Sequence, residues 1–149
     1  MNPLLVAVLL VGLLAVATVA GLVWRATTGR ARESAGSETV AISDLVAGET
    51  GGEAATLLQF STEFCAPCVA TGVQLERLAA AVPGVRHVEV DVTHRPDVAR
   101  RFGILQSPTT LLLDGAGTIR ARVGGAPRLP ELRAQIDRLV GTAHPGDHS

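Results

Sequence analysis

The stretch that decides the fold reads LLQFSTEFCAPC and covers residues 57–68. Its first four residues belong to a short apolar run, Thr56–Phe60, that is typical of a buried strand. Two cysteines follow where we expect a helix to begin. Backbone N–H groups and the helix dipole stabilise a thiolate at that place. We therefore expect Cys65 to attack a disulfide as the exposed thiolate and Cys68 to resolve the mixed disulfide. Pro67 is tolerated early in a helix and stiffens the turn between the two sulfurs.

The cysteine count limits the alternatives for this pair. Two cysteines are too few for the multi-disulfide scaffold of a small secreted protein. A structural zinc site needs four ligands, and beyond the cysteines the chain offers only four dispersed histidines. An inert buried pair is a further alternative, which the strand-to-helix placement disfavours. We expect no metal and no bound cofactor, because the two sulfurs themselves carry the electrons.

Strand and helix signals alternate after the cysteine pair. A helical pattern over residues 69–82 stops at Pro83-Gly84, and its apolar face is formed by Val69, Val73, Glu76, Leu78, Ala79 and Val82. The later signals are a strand at Val85–Val92, a short helix at Pro96–Phe102, a hairpin of Thr109–Leu113 and Thr118–Val123, and a closing helix at Leu129–Val140. This order predicts an α/β fold in which a parallel strand pair is extended by an antiparallel hairpin, with helices on both sides.

Two motifs resemble the signatures of the thioredoxin superfamily. The first is the strand, loop and helix start at residues 57–68, and the second is GILQSPTTL at residues 103–111. The similarity covers about residues 54–140 and implies a thioredoxin-like fold with a central mixed sheet flanked by helices. It also implies that Pro108 follows Ser107 through a cis peptide bond, whose exposed backbone pairs with an incoming substrate chain beside the cysteines. An ordinary trans turn proline is the alternative, since only about 5% of X–Pro bonds in folded proteins are cis.

Several positions bear on the mechanism that this resemblance implies. Phe64 stands where the family has Trp before the first cysteine, and we assign it to substrate binding together with Pro67 and Ser107. Gln59 occupies the position of a buried Asp that helps to move the proton of the resolving thiol, and an amide cannot titrate. His87 falls where the family has a buried Lys, so it is a candidate substitute base in proton transfer. The alternative is an exposed histidine at a strand end, which is the more frequent case in proteins.

An uncharged apolar run occupies residues 4–24. As a helix it measures roughly 31 Å, which matches the hydrocarbon core of a bilayer. We predict a retained single-pass transmembrane helix. A cleaved signal peptide is the alternative, which the length of the run and the lack of a preceding basic residue disfavour. Arg25, Arg30 and Arg32 follow directly, so the positive-inside rule predicts an outer N-terminus and a cytoplasmic redox domain. Anchored thioredoxin-like proteins of bacteria often work outside the membrane, so the alternative is an extracytoplasmic redox domain.

Composition sets the remaining boundaries along the chain. We expect residues 25–53 to form a linker that includes a candidate first strand, residues 54–140 to form the thioredoxin-like domain, and residues 141–149 to form a disordered tail rich in Gly, Pro and His.

Charge and composition narrow the class of partner. The net charge is −1, and the 13 basic residues, all Arg, form no run with interleaved aromatics, so we expect no nucleic-acid binding. We interpret the protein as a membrane-tethered oxidoreductase that reduces protein disulfides and is itself reduced by thioredoxin reductase or an equivalent thiol reductant. The alternatives are an extracytoplasmic reductase that serves cytochrome or envelope protein maturation, and a thioredoxin-fold binding module. The presence of both cysteines disfavours the binding module.

Overall fold

Five strands form one mixed sheet in a computed structural model that describes residues 2–34, 36 and 38–143. The strands are β1 (Ala31–Glu33), β2 (Ala55–Ser61), β3 (Val85–Asp91), β4 (Thr109–Asp114) and β5 (Ile119–Gly124). The helices are α1 (Pro3–Thr27), α2 (Ala66–Ala80), α3 (Pro96–Arg101) and α4 (Leu129–Ala143). A 3₁₀ turn, Ile42–Asp44, precedes β2.

The strands lie in the order β1-β5-β4-β2-β3. β2 and β3 are parallel. The pairs β2 with β4, β4 with β5, and β1 with β5 are antiparallel. The predicted mixed sheet flanked by helices is therefore confirmed, and β2 lies between a parallel and an antiparallel neighbour.

The two faces of the sheet carry separate apolar clusters, because successive side chains of a strand point to opposite faces. Leu58 and Phe60 of β2 pack on one face with Val98 and Phe102 from the α3 region. On the other face β2 packs against α2 and α4, through Ala55, Leu57, Leu75, Ala79, Leu132 and Ile136. All 7 residues of β2 are buried, so its polar side chains require partners inside the protein.

The buried face of α2 differs from the predicted one. Val69 and Val73 are 71% and 43% exposed, so the prediction that they face the core was wrong. Ala79 and Val82 of the predicted face are buried. The other buried residues of α2 recur every three or four positions and include small and polar members, namely Cys68, Thr71, Gly72 and Leu75. Small side chains such as that of Gly72 let the helix lie close to the sheet, and small or polar residues do not mark a buried face in a search for large apolar side chains.

The segment before β2 takes part in the fold. Within residues 25–53, which the sequence predicts to be a linker with a candidate first strand, β1 pairs with the outer side of β5. Further along, Val40, Ile42 and Leu45 are buried in the same apolar cluster as Phe60. This segment therefore covers part of the sheet face that α3 also covers.

α1 contributes no side chain to the core. None of its 25 residues is buried, and its most apolar window has a mean hydropathy of 2.8. The helix is long and apolar enough to cross a membrane, and a signal sequence near an N-terminus has the same properties. Its end is fixed to the domain, since Gly29 N donates to Gly124 O over 2.9 Å. The Arg128 guanidinium also donates to the carbonyl oxygens of Arg25 and Ala26 over 3.4 and 3.2 Å.

The C-terminal helix extends past the predicted end of the domain at residue 140. α4 ends at Ala143, so the first three residues of the predicted tail 141–149 are helical. Residues 144–149 of that tail lie outside the described residues.

The burial of Ile42 allows a direct test of how far the domain extends. We expect Ile42→Ala to lower the free energy of unfolding by about 3 kcal/mol, because it removes apolar contacts and leaves a cavity beneath the sheet. Ser43→Ala, at the exposed next position, is the matched control and should change stability by less than about 0.5 kcal/mol. Urea denaturation followed by circular dichroism measures both. Equal stabilities would mean that this segment is a loose linker.

Candidate active site

Cys65 and Cys68 form a disulfide at the N-terminus of α2. The S–S distance is 2.06 Å and the two Cα atoms are 5.2 Å apart. Cys65 is the N-cap residue and is half-buried, whereas Cys68 is only 2% exposed. Of the two sulfurs, that of Cys65 is therefore the one that an external disulfide can approach.

Phe64 and Pro67 flank the accessible cysteine. Phe64 has a φ of 57°, a left-handed conformation that is uncommon outside glycine, and its side chain is fully exposed. Pro67 lies in the first turn of α2 and is exposed. An aromatic ring and a proline ring thus leave apolar surface exposed beside Cys65.

The second sequence motif forms a loop at the start of β4. The peptide bond between Ser107 and Pro108 is cis, the geometry that the resemblance implies. Gly125 N donates to Pro108 O over 2.8 Å, which holds this loop against the end of β5. Because Phe60 and Thr109 are register partners in antiparallel strands, the end of β2 and the start of β4 meet at one edge of the sheet. The cysteine loop and the cis-proline loop therefore share that edge.

Gln59 lies beneath the cysteine pair and is fully buried. Its side-chain nitrogen donates to Cys68 O over 2.9 Å and to Ser61 Oγ over 3.1 Å. Its Oε1 lies 3.0 Å from His87 Nε2. A backbone carbonyl can only accept, so the atom facing Cys68 O must be the amide nitrogen. The amide oxygen then faces His87, and His87 Nε2 is the donor.

The direction of these hydrogen bonds bears on the suggested proton carriers. His87 is half-buried and bonded to Gln59, so it is not an exposed strand-end histidine. However, the nitrogen that faces Gln59 already carries a proton, and an amide cannot titrate. Gln59, supported by His87, therefore holds the backbone of Cys68 in place, and a role of His87 in proton transfer stays a prediction.

A sequence model of the thioredoxin family matches residues 47–138. The chain belongs to the thioredoxin family. It is 37% identical over 89 residues to thioredoxin C-2 of Corynebacterium nephridii, a match that covers 59% of this chain and 82% of that protein. It is 33% identical over 89 residues to thioredoxin-2 of Pyricularia oryzae, and here the match covers 60% of this chain and 48%, about half, of the relative.

Solved thioredoxins share the architecture. The short form of spinach chloroplast thioredoxin f superposes with a TM-score of 0.51 at 26% identity, over 59% of this chain and 78% of that one. Thioredoxin from Trypanosoma brucei brucei gives a TM-score of 0.52 at 23% identity, over 61% and 79%, which supports the fold alone. The predicted family and fold are confirmed, and the domain is a thiol–disulfide oxidoreductase domain with a redox-active cysteine pair.

Three residues of this thioredoxin site were not predicted from the sequence. Leu105, in the cis-proline loop, is 96% exposed and adds apolar surface beside Ser107. Ser61 Oγ, which accepts from Gln59, donates to Glu89 Oε1. The alternation of strand residues contained the signal, because positions 59 and 61 share one face of β2, and 87 and 89 share one face of β3.

No metal site is found near this thioredoxin centre. Among residues 2–34, 36 and 38–143, no group of three or more His, Cys, Asp or Glu side chains is arranged to hold a metal ion.

The environment of His87 predicts a dependence of stability on pH. Burial lowers the pKa of His87 below its ordinary value of 6.5, although the Glu89 and Glu76 carboxylates oppose the shift. The unfolded chain therefore takes up a proton at a higher pH than the folded chain, and stability falls as the pH drops below about 6.5. His87→Gln keeps an N–H donor and cannot titrate, so its free energy of unfolding should fall less between about pH 7 and pH 5. Urea denaturation of the oxidised protein at both pH values measures this, and equal losses would refute it.

Proposed function

We propose that the whole protein is a membrane-tethered oxidoreductase that reduces disulfides in protein substrates. The observation that carries this proposal is the pairing of an accessible Cys65 with a buried Cys68 in one disulfide at the N-terminus of α2. An accessible sulfur can be attacked or can attack, whereas the buried sulfur reacts only with its neighbour. This asymmetry is what dithiol–disulfide exchange requires.

The reaction runs from the reduced dithiol. The Cys65 thiolate, stabilised by the N-terminus of α2, attacks a substrate sulfur and forms a mixed disulfide. Cys68 then attacks the sulfur of Cys65 and releases the reduced substrate. A thiol reductant, thioredoxin reductase or an equivalent, restores the dithiol, and the two sulfurs carry the electrons without a bound cofactor.

Substrate proteins are proposed to bind along the shared edge of the sheet. The exposed apolar side chains of Phe64 and Leu105 and the proline ring of Pro67 offer contacts that become buried when a chain binds. The backbone at Ser107 and cis-Pro108 supplies hydrogen-bonding groups to an extended segment, as the family resemblance implies.

The tether is proposed to place this edge close to the bilayer. Trp24, near the end of α1, lines a groove of about 390 Å³ together with Leu105 and Gln106 of the cis-proline loop. The contacts of Arg128 with the end of α1 hold the two parts together. An interfacial Trp with the cis-proline loop beside it favours substrates whose disulfides lie near the membrane surface.

The first test separates the roles of the two cysteines. We expect Cys65→Ser to abolish the reduction of insulin disulfides by full-length protein in detergent with dithiothreitol, because no accessible sulfur remains. Cys68→Ser is the matched variant, since it also removes the disulfide but retains the attacking thiol. It should accumulate mixed disulfides with substrate proteins that a non-reducing gel resolves. Insulin reduction by Cys65→Ser would contradict the mechanism.

The second test concerns the side of the membrane. Arg25, Arg30 and Arg32 follow α1, so we expect a cytoplasmic redox domain, with a fluorescent protein fused after Ser149 bright and alkaline phosphatase inactive. Replacing the three arginines by Gln should reduce that bias. Active alkaline phosphatase with a dark fluorescent protein would place the domain outside the cytoplasm. Recovery of a soluble fusion that lacks α1 would identify α1 as a cleaved signal peptide.

A further inference from the structure

Three arginines line the groove between the end of α1 and the sheet. Arg30 and Arg32 come from the segment that follows α1, and Arg122 comes from β5. Arg32 and Arg122 are register partners in the antiparallel pair of β1 and β5. Partners in such a pair lie on one face of the sheet with their Cβ atoms about 4.5–5.5 Å apart, and like charges placed there destabilise the fold. The structure therefore gathers positive charge at a cost in stability.

No carboxylate balances this charge from within the groove. Among the described residues, those that line it include neither Asp nor Glu. Glu33 follows Arg32 on β1, so its side chain points to the opposite face of the sheet, where it pairs with Arg138 over 3.4 Å. The Arg122 guanidinium donates to two backbone carbonyl oxygens just after α3, which orient it without neutralising it. The groove is therefore cationic and suited to an anion.

The cis-proline loop forms another wall of the same groove. Leu105 and Gln106 of that loop line it, and its volume of about 390 Å³ has room for more than one side chain. A side chain at position 124 would clash with Gln106 Nε2, so the amide lies directly against the backbone of Gly124. Gly29 N donates to Gly124 O over 2.9 Å and joins the end of the tether to the same point. A substrate chain bound at cis-Pro108 therefore has the cationic groove beside it.

We propose that this groove binds acidic side chains of the substrate protein, so that the protein selects disulfides flanked by Asp or Glu. The proposal rests on the oxidoreductase function proposed above and names its substrate class. A guanidinium group matches a carboxylate in both geometry and charge, and a carboxylate between Arg32 and Arg122 relieves their repulsion. A phospholipid phosphate is another anion near a membrane tether. The shared wall with the cis-proline loop favours the substrate, because that loop lies beside the cysteine pair.

The experiment compares two disulfide peptides that differ only in Asp or Asn beside one cysteine. Reduced full-length protein in detergent reacts with each peptide, and a fluorophore that separates from its quencher on reduction gives the second-order rate constant. The readout is the ratio of the Asp rate constant to the Asn rate constant. We expect Arg30→Gln/Arg32→Gln to lower this ratio about fivefold. Because the ratio is compared between protein variants, the intrinsic reactivities of the peptides cancel.

Two further variants separate a local contact from the overall charge of the protein. Arg77→Gln/Arg133→Gln removes the same net charge from the last turn of α2 and from the exposed side of α4, and it should keep the original ratio. Arg30→Glu/Arg32→Glu should reverse the preference, so that a peptide with Lys at the variable position reacts faster than the Asp peptide. An equal loss of the ratio in Arg77→Gln/Arg133→Gln would overturn the inference, because distant charge would then suffice.

Trp24 reports where the acidic residue lies, because it lines the groove and is the only tryptophan of the chain. In mixed disulfides trapped with Cys68→Ser, the Asp peptide should change the Trp24 emission more than the Asn peptide does. Equal changes, or an unchanged rate ratio in Arg30→Gln/Arg32→Gln, would overturn this inference while leaving the oxidoreductase function intact. A Trp24 response to phosphatidylglycerol with an unchanged rate ratio would assign the groove to lipid and also overturn it. Failure of the unsubstituted protein to reduce either peptide would instead refute the proposed function.

Discussion

The burial of β2 along its whole length is the constraint on which the rest of the structure depends. With both faces covered, β2 places Leu58 and Phe60 in one apolar cluster and Leu57 in the other, so it holds both helical layers on the sheet. The same burial obliges Gln59 to satisfy its amide inside the protein. The amide does so by bonding Cys68 O, so one side chain of the central strand connects the core to the redox centre.

Gln59 and His87 are chemically matched. A carboxylate at position 59 would face Cys68 O with another acceptor, whereas the amide donates there and keeps an oxygen for the N–H of His87. Exchanging either residue alone for an apolar one leaves a buried polar group without its partner, at a cost of about 1–3 kcal/mol. The exchange of the family's Asp for Gln therefore involves a set of contacts and not a single side chain.

Local sequence patterns were sufficient for much of the fold and for part of the site. The cysteine turn and the hairpin depend on short motifs and on residues of restricted conformation, which a single sequence displays. The cis bond before Pro108 was predicted from the family resemblance and not from a local pattern. Strand alternation places Ser61 on the face of Gln59 and Glu89 on the face of His87, but the contact between Ser61 and Glu89 also depends on the register of β2 against β3, which no local pattern fixes. The burial of Ile42 was missed for a similar reason, since it is decided by the sheet face that the segment covers.

The site has exposed apolar side chains in its loops and a buried polar cluster beneath the cysteine pair. Phe64 and Leu105 are exposed apolar side chains, and the left-handed backbone of Phe64 costs roughly 1–2 kcal/mol. Neither exposure nor this strain stabilises the isolated domain, which is consistent with the substrate contacts proposed for these side chains. Gln59 and His87 lie instead beneath α2, where a Cβ atom at Gly72 would lie 3.5 Å from Gln59 Oε1 and 3.9 Å from His87 Cε1. Loop residues can therefore change without altering the Gln59 contact that holds the Cys68 backbone.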